Sequence, residues 1–91
     1  MPAKNHVAYF VYILKCADGT FYTGITNDVA RRVAVHNSGK GARHTRGRLP
    51  AKLLWSQKVR NMSAALRREI QIKKLTQSQK RELIRLNVIN R

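Results

Sequence analysis

The apolar positions near the start of the chain follow a strand pattern. Tyr9 to Cys16 is apolar on both alternating faces, which is typical of a strand covered on each side, so we predict a central strand here. Asp18-Gly19 is a hairpin signal, and Phe21 to Ile25, rich in aromatic and β-branched residues, is predicted to be the returning strand. Lys52 to Val59, which contains Leu53-Leu54-Trp55, is predicted to be a third strand.

Polar and glycine positions predict a helix and then a loop between the second and third strands. Asn27 or Asp28 can cap a helix that runs to about Asn37, and Gly39 suits a left-handed stop. The segment 38–50 combines glycines with basic side chains and is predicted to be a loop. We call this segment the basic loop.

Two further helices are predicted after the third strand. Ser63 can cap a helix that runs to roughly Leu75, and Thr76 or Ser78 opens a shorter helix that ends near Leu86. The expected fold class is α+β, with a small three-stranded antiparallel sheet flanked by three helices. Residues 1–91 are expected to form a single domain with its core at about 9–86.

The charge balance points to a polyanionic partner. Nineteen Lys and Arg residues oppose four acids, and no acid occurs from Val29 to Arg68. Nucleic acid fits best, because the basic residues are interleaved with a foldable apolar pattern and are not gathered in a tail. The residues expected to hold its backbone are those of the basic loop, namely Lys40, Arg43, His44, Arg46 and Arg48.

Cysteine usage and hydropathy exclude two other classes of protein. Cys16 is the only cysteine, so an internal disulfide is excluded and a reducing cytoplasm is expected. The apolar run Val7 to Leu14 is too short to span a bilayer and lacks a small-residue cleavage pattern, so no membrane association is predicted.

The length of the hairpin loop decides whether two tyrosines can share a site. A two-residue loop would place Tyr12 and Tyr22 on opposite faces of the sheet. A three-residue loop, with Gly19 in the left-handed region, sets Tyr12 opposite Gly24 and Leu14 opposite Tyr22, so both tyrosines face the same way. Gly24 would then leave room beside the Tyr12 ring. Each tyrosine alone is more typical of a core aromatic residue, and only their combination favours a site.

Two helical residues and one acid complete the candidate site. Arg32 and His36 are four residues apart and share a face at the border of the buried stripe of the first predicted helix. On the second predicted helix, Glu69 projects from an apolar arc predicted to contain Met62, Ala65, Leu66, Ile70 and Ile72. An acid in a buried stripe is costly unless it is paired, for instance with Arg32 or Lys73, or unless it binds a hard divalent cation.

These residues resemble a known family. Phe10-Val11-Tyr12 and Tyr22-Thr23-Gly24, followed by Arg32 and His36, are similar to the pattern of the GIY-YIG nuclease domain. Phe10, Val11 and Thr23 differ from the family motifs, which have glycine, isoleucine and isoleucine at these positions. The resemblance covers roughly Tyr9 to Leu86 and is strongest to the small stand-alone bacterial members, with a more distant likeness to the nuclease subunit of a structure-selective eukaryotic endonuclease.

The resemblance implies metal-dependent hydrolysis of a phosphodiester bond. Glu69 would bind one Mg²⁺ or Mn²⁺ ion, Tyr12 or Tyr22 would activate or orient water, and Arg32 would neutralise charge on the phosphate. His36 would assist proton transfer or hold a phosphate or a tyrosine hydroxyl. The family often adds an asparagine near the domain's end, for which Asn87 and Asn90 are available.

The expected partner is DNA, branched, flapped or single-stranded. No appended specificity domain is predicted, so recognition should depend on shape and backbone charge more than on sequence. The competing hypothesis is a non-catalytic module that binds DNA, RNA or the ribosome, because a tiny basic domain suits that role equally. A protein-interaction module is disfavoured, because the sequence predicts no large exposed apolar stripe.

Overall fold

The computed structural model describes the backbone of residues 8–89 and the side chains of residues 8–86. Asn90 and the side chain of Asn87 therefore lie outside the described residues. The elements, in chain order, are β1 (Tyr9–Lys15), β2 (Phe21–Thr26), α1 (Val29–Val35), a wide π-type turn (His36–Lys40), α2 (Arg43–Arg46), β3 (Lys52–Val59), α3 (Met62–Lys73) and α4 (Gln77–Ile89). No helix in this described part of the chain is long and apolar enough to cross a membrane.

The sheet has three antiparallel strands in the order β2-β1-β3, so β1 is central as predicted. Tyr12 pairs with Gly24 and Leu14 pairs with Tyr22. The turn is closed by hydrogen bonds from the Cys16 N–H to the Thr20 carbonyl and from the Gly19 N–H to the Cys16 carbonyl, and Gly19 has a φ of 88°. The prediction of a three-residue hairpin loop is confirmed, and it places both tyrosines on one face of the sheet.

Side chains of β1 are buried on both faces of the sheet. On one face, Val11 and Ile13 pack with Trp55, Ala65 and Ile72, and partly buried residues of α4 complete this layer. On the other face, Tyr12 and Leu14 pack with Ala51, Tyr22 and Val33 of α1. The α+β architecture is therefore confirmed, with α3 and α4 on one side of the sheet and α1 on the other.

The basic loop has more structure than its sequence predicts. It begins in the π-type turn, where Gly39 takes the predicted left-handed conformation with a φ of 86°. It then forms α2, because the backbone N–H and the hydroxyl of Thr45 both lie within hydrogen-bond distance of the Ala42 carbonyl. The Asn37 side chain pairs with both backbone groups of Ala51, at 2.9 and 2.7 Å, and so fastens the turn to the start of β3.

The helix caps agree with the sequence at two of three positions. Asp28 caps α1 by accepting from the Arg31 N–H at 3.1 Å, and Thr76 opens α4 through reciprocal bonds with Gln79. The prediction that Ser63 caps α3 is wrong, because the Asn61 side chain accepts from the Ala64 N–H at 2.8 Å. The helix α3 therefore starts at Met62, and α4 continues past Leu86 to Ile89.

The predicted apolar arc of α3 is wrong on one side. Ala65 and Ile72 are fully buried, but Met62, Leu66 and Ile70 are 44%, 46% and 54% exposed. A three-stranded sheet is narrow and covers only one stripe of the helix, the stripe that contains the small Ala65 side chain. The remaining apolar side chains of the predicted arc therefore face outward.

Candidate active site

Tyr12 and Tyr22 form the centre of the candidate site. Tyr12 is 1% exposed, and its ring centroid lies 6.3 Å from that of Tyr22. Gly24 leaves the space that the Tyr12 ring occupies, because a Cβ atom at this position would lie 2.6 Å from the Tyr12 hydroxyl and 2.7 Å from its Cζ atom. Glycine in this strand is therefore explained by the close approach of the tyrosine ring.

His36 lies directly after α1 and is fully buried. Its Nε2 atom is 2.9 Å from the Tyr12 hydroxyl, and its Nδ1 atom is 2.9 Å from the Thr45 hydroxyl. The Tyr22 ring centroid is 5.2 Å from that of the imidazole, in an edge arrangement. Gly41 passes so close that an added Cβ atom would overlap the imidazole. Because His36 is enclosed, it can hold the tyrosine but cannot reach a phosphate in this conformation.

The charge of Arg32 acts on both partners of this hydrogen bond. Burial raises the pKa of Tyr12 above its usual value, whereas a hydrogen bond from Arg32 lowers it, the charge of Tyr22 raises it, and the charge of Arg32 lowers it again. Burial also lowers the pKa of His36, and the positive charge of Arg32 lowers it further. Arg32 is half-buried and lines two open clefts, so part of its guanidinium remains accessible.

Glu69 lies on the inner side of α3, with 18% of its side chain exposed. Its charge also raises the pKa of Tyr12, although less than burial and the charge of Tyr22 do. The Lys73 ammonium lies 3.2 Å from the carboxylate, so the ion pair that the sequence left as an alternative to metal binding is present. Lys73 itself is 56% exposed and can turn toward solvent if a cation takes its place.

The residues present fit a weakly held divalent cation. The described residues contain no group of three His, Cys, Asp or Glu side chains that could enclose a metal. One carboxylate is nevertheless a suitable hard ligand for Mg²⁺, which commonly keeps several water molecules and shares its coordination with substrate phosphate. Of the other acids, Asp18 pairs with Arg48, Asp28 caps α1 and Glu82 pairs with Arg85. Glu69 is paired too, with Lys73, but its side chain is the least exposed of the four acids, and its charge acts on Tyr12.

The five predicted nucleic-acid-binding residues differ in their surroundings. Lys40 and Arg43 are exposed and form no ion pair within the described residues, whereas Arg48 forms an ion pair with Asp18 at 2.8 Å. Arg46 donates from Nε to the Gly41 carbonyl. His44 stacks against Tyr22 with a centroid distance of 6.0 Å, so it borders the tyrosines rather than the outer rim of the loop.

Sequence reasoning missed Thr45 as part of this arrangement. Its side chain is fully buried against His36, although threonine in a stretch of Arg and Gly residues carries the pattern of a surface loop. No sequence signal identifies it, because its burial depends on α2, which the sequence did not predict.

Residues 8–82 match the GIY-YIG catalytic domain. The chain belongs to this family. It is 49% identical over 85 residues to UPF0213 protein DP2720 of Desulfotalea psychrophila, covering 92% of this chain and 77% of that protein. It is 51% identical over 75 residues to UPF0213 protein VNG_2274C of Halobacterium salinarum, covering 82% of this chain and 97% of that protein.

Two solved structures agree with the fold. The solution NMR structure of UPF0213 protein BH0048 from Bacillus halodurans has a TM-score of 0.57 and 44% identity, covering 87% of this chain and 84% of that one. The solution NMR structure of protein EF2693 from E. faecalis has a TM-score of 0.59 and 34% identity, covering 89% of this chain and 88% of that one.

Proposed function

We propose that this GIY-YIG protein is a metal-dependent endonuclease that hydrolyses phosphodiester bonds in DNA and selects structure more than sequence. One observation supports the proposal most directly: the Tyr12 hydroxyl lies 2.9 Å from His36 and the Tyr12 ring lies beside Tyr22, while the charges of Arg32 and Glu69 act on the pKa of Tyr12. Groups with shifted pKa values, as Tyr12 and His36 have, are common in catalytic sites. Their proposed members are Tyr12, Tyr22, Arg32, His36 and Glu69, with Gly24 as the structural residue beneath the tyrosine.

Arg32 is proposed to neutralise charge on the phosphate. Its planar guanidinium can donate to two phosphate oxygens, and it remains partly accessible from the clefts that it lines. Charge that develops in the transition state is stabilised most by donors already held in place. Here α1 would hold the arginine in place before substrate arrives, because Arg32 lies one helical turn before the buried His36 and its carbonyl accepts from the His36 N–H.

A tyrosine is proposed to activate or orient the attacking water. An ordinary phenol with a pKa near ~10 is a weak base at neutral pH, so nearby cations must favour its ionised form. Tyr12 is bonded to His36 and faces Arg32, while Tyr22 is more exposed and therefore closer to solvent. Substitution of each by phenylalanine should reduce the rate unequally, and the larger loss identifies the base.

Glu69 is proposed to hold one Mg²⁺ or Mn²⁺ ion, which when bound would polarise the phosphate. The carboxylate must release Lys73 for this purpose, so binding should be weak without substrate. Asp18 is paired with Arg48 and Asp28 caps α1, so neither is proposed as a ligand.

The basic loop is proposed to hold the DNA backbone beside these residues. Duplex affinity should fall by about 0.9 log unit per tenfold rise in salt for each phosphate neutralised. Replacement of Lys40 or Arg43 by glutamine should lower that slope by about one phosphate's share. Arg48→Gln should lower it less, because Asp18 already neutralises this arginine. A slope that survives removal of all the loop's charges would rule out this assignment.

The alternative is a non-catalytic nucleic-acid-binding module, which the net charge of +15 would also suit. The test is incubation of purified protein with nicked, flapped, forked and single-stranded DNA, and with RNA, with and without Mg²⁺ or Mn²⁺. We expect metal-dependent cleavage by the wild type, and loss of cleavage with binding retained in Glu69→Gln and Arg32→Ala. Equal cleavage by wild type and Glu69→Gln would contradict the proposal and favour the binding module. A cytoplasmic role in DNA repair is part of the same proposal.

A further inference from the structure

We propose that His36 donates its Nε2 hydrogen to the Tyr12 hydroxyl oxygen, and that Thr45 is the positioning residue that holds the imidazole in this arrangement. The inference deepens the proposed nuclease function and rests on it for the effect on rate. It concerns a hydrogen-bond chain that runs from the tyrosine through the histidine to α2.

Two donors face the Nδ1 atom of His36. The backbone N–H of Ala42 points at it from 3.4 Å, and the Thr45 hydroxyl lies 2.9 Å away. A backbone N–H can only donate, whereas a hydroxyl can either donate or accept. If Nδ1 carried a hydrogen, that hydrogen and the Ala42 N–H would point at each other. Nδ1 is therefore the accepting nitrogen.

The Thr45 hydroxyl has its hydrogen available for Nδ1. The hydroxyl donates to the Ala42 carbonyl oxygen at 2.9 Å, and its oxygen lies equally close, at 2.9 Å, to Nδ1. That carbonyl also accepts the backbone N–H groups of Thr45 and Arg46, at 3.1 and 3.2 Å. Because the carbonyl oxygen has two lone pairs and three donors, its bond to the hydroxyl is the one that can be shared. The hydroxyl hydrogen can accordingly be shared between the carbonyl oxygen and the imidazole Nδ1.

A neutral imidazole has one ring hydrogen, and it must then be on Nε2. His36 is fully buried beside the positive Arg32, conditions that favour the neutral ring. Nε2 lies 2.9 Å from the Tyr12 hydroxyl oxygen, so this hydrogen is donated to the tyrosine. A hydrogen bond from His36, together with the positive charge of Arg32, stabilises a phenolate more than a phenol. His36 thus supports the ionised tyrosine and does not serve as the acceptor of its proton.

The position of Thr45 also connects this chain to the substrate-binding surface. Thr45 is turned inward and buried, while its neighbours in α2, Arg43, His44 and Arg46, lie outside this buried pocket. A DNA backbone held by these neighbours would stabilise α2 and with it the contact between Thr45 and His36. The residue is therefore placed where binding and imidazole orientation can be coupled.

The experiment uses ¹⁵N-labelled histidine and long-range ¹H–¹⁵N correlation spectra of the whole protein without substrate. For wild-type His36 we expect a protonated Nε2 and an unprotonated, hydrogen-bonded Nδ1. Thr45→Val keeps the shape and removes the hydroxyl, so its Nδ1 resonance should shift toward that of an unbonded nitrogen and cleavage should slow about tenfold, equivalent to ~1.4 kcal/mol. Thr45→Ser, the matched control, should keep the wild-type resonance and a rate within about twofold.

Each outcome decides one part of the proposal. A hydrogen on Nδ1 in the wild type would overturn the assigned donor. A Thr45→Val protein with wild-type resonance and rate would overturn the role of Thr45, and so would a Thr45→Ser protein that loses the bonded resonance while folded by circular dichroism. If Thr45→Val does not fold, the wild-type and Thr45→Ser spectra still decide. Because the spectra need no substrate, a failure of the nuclease proposal would appear separately, as absent cleavage.

Discussion

Substitution of Gly24 by alanine tests the packing on which the candidate site depends. The new Cβ atom would lie 2.6 Å from the Tyr12 hydroxyl, 2.7 Å from its Cζ atom and 3.0 Å from Cε2 of Tyr22. To reach the 3.4 Å at which ordinary contact begins, the hydroxyl must retreat by about 0.8 Å. Tyr12 is fully buried and bonded to His36, so it cannot retreat without disturbing that bond.

The expected magnitude follows from two separate effects. Overpacking of a buried site typically costs about 1–3 kcal/mol, and loss of the hydrogen bond to His36 adds roughly 1 kcal/mol. A displacement near 1 Å in a catalytic group can lower the rate about 10²-fold. We therefore expect Gly24→Ala to lower the free energy of unfolding by about 2–4 kcal/mol and the single-turnover cleavage rate about a hundredfold.

Urea unfolding and a cleavage assay under single-turnover conditions measure these two quantities. Gly47→Ala is the matched control, because an added Cβ atom there has no neighbour within 4 Å and the φ of −94° suits alanine. Its stability should stay within about 0.5 kcal/mol of wild type. In a Tyr12→Phe background, Gly24→Ala should be less destabilising, because the nearest atom has been removed. A Gly24→Ala protein as stable and as active as the Gly47→Ala control would refute the packing argument.

Three further predictions concern separate features of the molecule. Lys73→Ala should lower the Mn²⁺ concentration needed for half-maximal binding and cleavage, because the Lys73 ammonium, 3.2 Å from Glu69, competes with the ion. The control Lys74→Ala should leave that concentration unchanged, and equal effects of the two substitutions would contradict this prediction. Thr23→Val should raise the free energy of unfolding by about 1 kcal/mol in a urea titration, because the Thr23 hydroxyl is buried without a hydrogen-bond partner among the described residues; a loss of stability would contradict this. The free energy of unfolding should fall as the pH drops below ~6.5, by at most about 1.4 kcal/mol per pH unit. The reason is that the pKa of buried His36 is lowered, so the unfolded chain gains a proton that the folded chain does not. Urea midpoints measured at several pH values should show this dependence, and it should be weaker in His36→Asn.

The sheet and its register could be predicted because turn chemistry and side-chain alternation act locally. A glycine in the left-handed region fixes the loop length, and the loop length fixes which side chains share a face. The pairing of Tyr12 with Gly24 therefore followed from a few neighbouring residues. The same local reasoning limited the caps of α1 and α4 to two residues each, and in the structure Asp28 and Thr76 are the ones that cap.

The parts that could not be predicted depend on contacts between distant segments. Thr45 is buried because α2 folds back onto His36, and nothing in the local sequence marks that contact. Likewise, the apolar spacing along α3 does not indicate which stripe of the helix the narrow sheet covers. The spacing predicts Leu66 and Ile70 in the core, whereas both are exposed in the structure. Asn61, and not Ser63, caps α3, because β3 ends at Val59, shortly before Asn61. The end of β3 depends on the path of the complete chain and not on the local sequence.

The single thiol of the chain gives a direct measure of how often the hairpin end opens. Cys16 is 3% exposed, and its N–H is bonded to the Thr20 carbonyl at 2.8 Å, while the next N–H, of Ala17, is bonded to Arg48 at 2.7 Å. A thiol reagent can reach the sulfur only when this junction between the hairpin and the basic loop separates. The labelling rate, divided by that of an unfolded peptide, therefore reports the equilibrium constant for this local opening. Comparison of free and DNA-bound protein would then measure how strongly a ligand on the loop closes the far end of the hairpin.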